Sequence, residues 1–105
     1  MPYTQGFVPA KAQEHYEKHV QKGGEFGNIT FGQYCDMADH FLGAPLDSDT
    51  EECVRLGGDV IRYNDVTGEF GILEVGGVIG TYFRPRVGRH PFATNLAYFY
   101  YRCHH

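Results

Sequence analysis

VIRYNDVTGEFGILEVGGVIGTYF, residues 60–83, decides the fold. Val60, Arg62 and Asn64 alternate with Ile61 and Tyr63, the period of two that a strand needs when its faces meet different surroundings. Asp65-Val66-Thr67-Gly68 is a turn, because Asp bonds its own backbone and Gly accepts positive φ. Phe70, Ile72, Leu73 and Val75 build the next strand, with Gly71 as a candidate bulge. Gly76-Gly77 marks a second tight turn. Val78, Ile79, Thr81, Tyr82 and Phe83 form a third strand, halted by Pro85, which has no N–H for a ladder. Short links between three such runs predict an antiparallel meander. Val54 and Leu56 open it, so the sheet spans about 54–85.

Upstream the period changes to that of helices. Residues 9–22 read as one helix: Pro9 suits its first turn, Ala12, Tyr16, His19 and Val20 recur at helical spacing, and Gly23-Gly24 stops it. Residues 30–42 read as a second. Thr30 with Gln33 is a capping-box pattern, Tyr34, Met37, Ala38, Phe41 and Leu42 make the apolar stripe, and Gly43 and Pro45 end it. Phe26 and Ile29 in the link are expected to plug the shared core. Residues 44–52 read as an acidic loop. Residues 94–103 fit either a strand or a short helix capped by Thr94. Helices first and strands after predict a single α+β domain over 1–105, with two N-terminal helices on one face of a twisted antiparallel sheet.

The chain has 105 residues, 42% of them apolar, enough for a core of its own. No apolar run approaches the ~20 residues that span a bilayer, and the first residues lack a signal-peptide pattern. Cys35, Cys53 and Cys103 are odd in number and far apart, which argues against a disulfide framework or a Cys-rich zinc site and for buried free thiols. The net charge is −4, but it is unevenly spread: +1 over residues 1–22, −9 over 23–75, and +4 over 76–105, where Arg84, Arg86, Arg89 and Arg102 meet no acid. A basic C-terminal third can present a phosphate-attracting face on an acidic protein.

His15 and His19, four apart, share a helix face. A zinc-protease helix requires Glu directly after the first His or directly before the second; Tyr16 and Lys18 stand there. Imidazoles titrate near neutrality, so the pair suits acid–base chemistry. Arg62 in mid-strand presents a fork that matches two phosphate oxygens, and Thr81 offers a hydroxyl beside a glycine that lets a ligand approach. Tyr98, Phe99, Tyr100 and Tyr101 are mostly core by this reading, with one or two free to stack a base.

HYEKHVQKGGEFGNITFGQYCDMADHFL and VIRYNDVTGEFGILEVGGVIGTYFRP, residues 15–42 and 60–85, resemble the C-terminal nuclease domains of bacterial polymorphic and contact-dependent inhibition toxins, in the barnase / EndoU / colicin / RelE-like group of ribonucleases. The resemblance runs over roughly residues 13–101. It implies two helices on a twisted sheet, with RNA, often tRNA, cleaved in the cleft between them. It places His15, His19, Arg62 and Thr81 at the catalytic positions, with Arg84, Arg86 and Tyr98 binding substrate. It implies no metal and no cofactor, and a cognate immunity protein as partner. Such a domain is delivered as the end of a larger toxin and acts in the target-cell cytoplasm. Gly80 departs from the pattern, since relatives carry lysine there; Arg84 or Arg86 would compensate. Two other readings stay open at the level of sequence: a non-catalytic binding or immunity module, which the acidic charge favours, and a metal-dependent hydrolase built on His15 and His19.

Overall fold

A computed structural model describes residues 6–7, 9–22, 24, 26–86, 88 and 90–104. The elements run β1 (Gly6–Phe7), α1 (Pro9–Tyr16), a π-helical continuation (Glu17–Lys22), α2 (Phe31–Gly43), β2 (Thr50–Val54), β3 (Val60–Asn64), β4 (Phe70–Leu73), β5 (Val78–Phe83) and α3 (Asn95–His104). The class is α+β, as the order of periodicities implied. The capping box forms as its residues predict: the Thr30 hydroxyl accepts from the Gln33 N–H at 3.1 Å, and the Gln33 side chain accepts from the Thr30 N–H at 2.8 Å. Two of the four N–H groups that a helix start leaves unpaired are met this way.

The sheet has the order β1-β5-β4-β3-β2. The meander β2 to β5 is antiparallel, but β1 joins β5 in parallel, through Gly6 beside Val78 and Phe7 beside Ile79. The sheet is therefore mixed, where the sequence predicted an antiparallel one. The ladder slips between β4 and β5: Ile72 pairs with Thr81 and Leu73 with Ile79, leaving Gly80 as the extra residue. The bulge is at Gly80, and not at Gly71 as expected. Gly71 has another reason to be small, since a Cβ there would lie 2.9 Å from Leu42 of α2.

The bulge decides which side chains share a face. One extra residue resets the alternation along β5, so Ile79 and Tyr82 both face α2 while Thr81 and Phe83 face the other way. On the first face Ile79 and Tyr82 pack with Tyr34, Ala38, Phe41 and Leu42 of α2, Val20 and Phe26. On the second, Ile61, Tyr63, Phe70 and Ile72 pack with Phe99 of α3. Helices thus cover both faces, where the sequence placed them on one. The two-sidedness follows from the tail resolving as a helix, with an apolar stripe of Leu96, Phe99 and Cys103. Tyr100 and Tyr101 point outward, 49% and 44% exposed, so the tyrosine run is less buried than expected.

Two further expectations are corrected. Cys53 of β2 and Cys103 of α3 form a disulfide, and only Cys35 is a free thiol. Fifty residues of chain separate the pair, but α3 folds back across the sheet and brings their Cα atoms to 6.1 Å, within the range a disulfide needs. Residues 50–52, assigned to the acidic loop, are instead the first half of β2, and Leu56 lies outside any strand, fully exposed. Glu51 and Glu52 on this edge strand discourage pairing with another chain.

Candidate active site

The first helix changes winding just past its midpoint. Residues 9–16 are α-helical and 17–22 are π-helical, a wider turn often found at functional sites. The element reaches both faces of the sheet, with Tyr16 and Val20 in the α2 core and His19 on Phe83 of the other face. Tyr16 points into the α2 core and donates its hydroxyl to the Ile29 carbonyl at 2.8 Å. His19, buried at 7% exposure, stacks on Phe83 with ring centres 4.9 Å apart. His15 stacks on His19 at 5.6 Å and on Phe7 at 5.7 Å. The histidines therefore sit inside a column of aromatic rings that fixes their planes.

Burial, and then the neighbouring His19 charge, hold the His15 imidazole below its ordinary value of 6.5. Desolvation penalises a cation, and a second positive charge at this distance adds to the penalty. His15 Nδ1 is buried and meets no hydrogen-bond partner among the described residues.

In front of the column opens a cleft of about 340 Å³. His15, Lys18 and His19 form its helical wall. Thr81, Phe83, Arg84, Pro85 and Arg86 continue it along the end of β5, and Tyr98 and Arg102 close it from α3. No carboxylate lines it among the described residues, so an anion meets four cationic side chains and no opposing charge. The Arg102 guanidinium is aimed by a 2.7 Å hydrogen bond from Nη1 to the Tyr98 hydroxyl. Tyr98 is held in turn by His90, whose ring stacks on it at 4.7 Å. Arg102 is thus placed by a hydroxyl, and the Arg84 guanidinium lies over the Phe26 ring, 4.8 Å from its centre.

Arg62 is elsewhere. It pairs with Gly71, which pairs with Tyr82, so it lies on the α2 face of the sheet, opposite Thr81. There its Nε donates to Glu52 at 2.8 Å, and its Nη1 to the carbonyls of Ala44 and Phe41 at 2.6 and 3.2 Å. Arg62 closes the C-terminal end of α2, whose last carbonyls have no partner within the helix. The expected meeting of Arg62 with the histidines and Thr81 does not occur. His15, His19, Thr81, Arg84, Arg86 and Tyr98 share the cleft; Lys18 and Arg102 join them and were not singled out from sequence. Tyr98 and Arg102 are four apart, so the signal for Arg102 lay in resolving the tail as a helix.

No third His, Cys, Asp or Glu joins the two histidines in a metal-binding group among the described residues. A wider hollow of about 780 Å³ flanks the disulfide, but Arg55 and Asp59 in its wall are paired with each other at 2.8 Å, and it holds no pair of titratable groups like the histidines.

No protein-family model and no curated protein sequence matches the chain. Among solved structures it is similar to a ribonuclease from Escherichia coli complexed with its inhibitor protein, at 18% identity and a TM-score of 0.55, over 86% of this chain and 95% of that one. A likeness at that identity is one of fold.

Proposed function

We propose that the protein is a metal-independent endoribonuclease whose catalytic pair is His15 and His19. The observation that carries this reading is two stacked imidazoles, one with a depressed pKa, in a cleft whose other charges are all cationic. The fold similarity to a ribonuclease supports it. RNA brings its own nucleophile, the 2′-hydroxyl. His15, neutral at physiological pH, takes the 2′-hydroxyl proton as that oxygen attacks phosphorus. The bond from phosphorus to the 5′-oxygen breaks, and His19 gives that oxygen its proton. The products are a 2′,3′-cyclic phosphate and a 5′-hydroxyl. Positioned acid–base groups supply about 10²–10⁴ in rate. Lys18, Arg84, Arg86 and Arg102, with the Thr81 hydroxyl, hold the phosphoryl oxygens as charge builds. Arg62 leaves the catalytic set, and the arginines of the cleft take the part it was expected to play.

The preferred substrate in this reading is tRNA. The partner is a cognate inhibitor of the immunity type, and the neighbour's capture with its inhibitor is the observation that favours one. An acidic inhibitor would match the cationic cleft. The chain acts, on this reading, in the cytoplasm of a target cell after delivery as part of a larger toxin. Incubating total tRNA with the protein in the presence of a chelator tests the whole. Discrete cleavage to 5′-hydroxyl ends, lost in His19→Ala, is the expected result. Intact RNA, or cleavage abolished by the chelator, overturns it.

A further inference from the structure

The cleft does not end at Thr81. That residue and Arg102 also line a second hollow, of about 230 Å³, which continues over the sheet face toward β3. Its chemistry differs from the cleft's. Arg55 enters it already neutralised by Asp59, Nη2 to Oδ2 at 2.8 Å. Glu74 brings a carboxylate, and Ile72 an apolar floor. Glu74 is fixed by its backbone at the root of the β4–β5 turn: its N–H donates to the Val78 carbonyl at 2.8 Å, and its carbonyl accepts from Gly77 at 3.0 Å. The side chain lies over Gly80, where a Cβ would come within 3.0 Å of Glu74 Cγ. The bulge glycine thus does two things: it turns Thr81 into the cleft and makes room for Glu74 beside it.

We infer that this hollow is a base-recognition subsite, holding the nucleobase next to the phosphate in the cleft. The inference rests on the cleft being a site for RNA, and deepens that reading. A second phosphate is disfavoured, because Arg55 and Asp59 neutralise each other and Glu74 sets a carboxylate against Arg102. A base fits: the volume is below the ~300–1,000 Å³ of sites for larger ligands, with an apolar floor and an acceptor at the rim. An ionised Glu74 can only accept. Adenine, cytosine and guanine carry exocyclic amines that donate to it; uracil offers only its N3–H, flanked on both sides by carbonyl oxygens that a carboxylate repels. The subsite therefore discriminates against uracil.

Titration calorimetry with the four nucleoside 3′-monophosphates and with inorganic phosphate tests this on the unmodified protein. The adenosine, cytidine and guanosine nucleotides are expected to bind about tenfold or more tighter than the uridine nucleotide and phosphate. Glu74→Gln is expected to narrow that margin and leave phosphate affinity unchanged. Equal binding of all four nucleotides overturns the subsite, whether or not RNA is cleaved. Base discrimination in a protein that cleaves no RNA leaves the subsite standing and removes the ribonuclease reading instead.

Discussion

Two hollows on either side of one sheet contain nearly the same residue types. The cleft under α1 and α3 has His15, His19, Thr81 and arginines; the hollow of about 180 Å³ under α2 has His40, Thr50, Asn64 and Arg62. In the second, Asp47 and Glu69 are also in the wall, Arg62 is engaged by Glu52 and two carbonyls, and Asn64 spans Thr50 and the turn that follows β3. In the first, no carboxylate lines the wall among the described residues. A guanidinium already held by a carboxylate and two carbonyls is a structural tie, while one in a wall that lacks carboxylates among the described residues is a candidate phosphate ligand.

Removing the imidazole acid should sharpen that contrast most. His19→Ala is expected to slow single-turnover RNA cleavage by about 10²–10⁴, while Arg62→Met, assayed well below its melting temperature, keeps a near-normal rate. Equal losses in the two variants would break the comparison. Next in size is the tie that holds α3 against the sheet. Replacing Cys103 by Ser opens a loop of 50 residues, worth about 4 kcal/mol by the chain-entropy estimate, and a urea titration should show the unfolding free energy fall by that amount.

Arg62→Met itself is expected to cost about 2 kcal/mol in the same titration, because Glu52 and the last carbonyls of α2 lose their donor. The smallest effect is that of pH. Burial and the His19 charge depress the folded His15 value below 6.5, so between the two values the unfolded chain binds more protons. This contribution to stability is complete above pH 6.5 and is lost as pH falls through the folded value. The acidic limb of kcat/KM, if His15 is the base, lies below pH 6.5 as well. A limb centred above that pH would remove His15 from the role.

The meander was legible because its strands keep a period of two between strong turn residues, and α2 because its cap is written in Thr30 and Gln33. What escaped was set by long-range pairing. Two residues, Gly6 and Phe7, carry no pattern, and they become a strand only because the edge of β5 is there to receive them. The odd cysteine count concealed a bond that depends on α3 crossing the sheet. The placement of Arg62 failed for a countable reason: a single inserted residue reverses the parity of a strand. Gly71 was the expected bulge and Gly80 was read only as room for a ligand; the packing of Leu42 over one and Glu74 beside the other separates them. The histidines were visible at their spacing, while the rings that frame them come from β1 and β5.

The covalent link between Cys53 and Cys103 also divides the chain mechanically. Tension applied at its two ends passes through residues 1–53, crosses the sulfur bridge and leaves at residue 103; the segment between carries no load. At ~3.3–3.6 Å per extended residue, roughly 170 Å of contour stays slack. The boundary runs through the cleft, with the histidine wall on the stretched half and Thr81, Arg84, Tyr98 and Arg102 on the shielded one. A pull would act directly on the proton-transferring wall and reach the anion-holding wall only through its packing contacts.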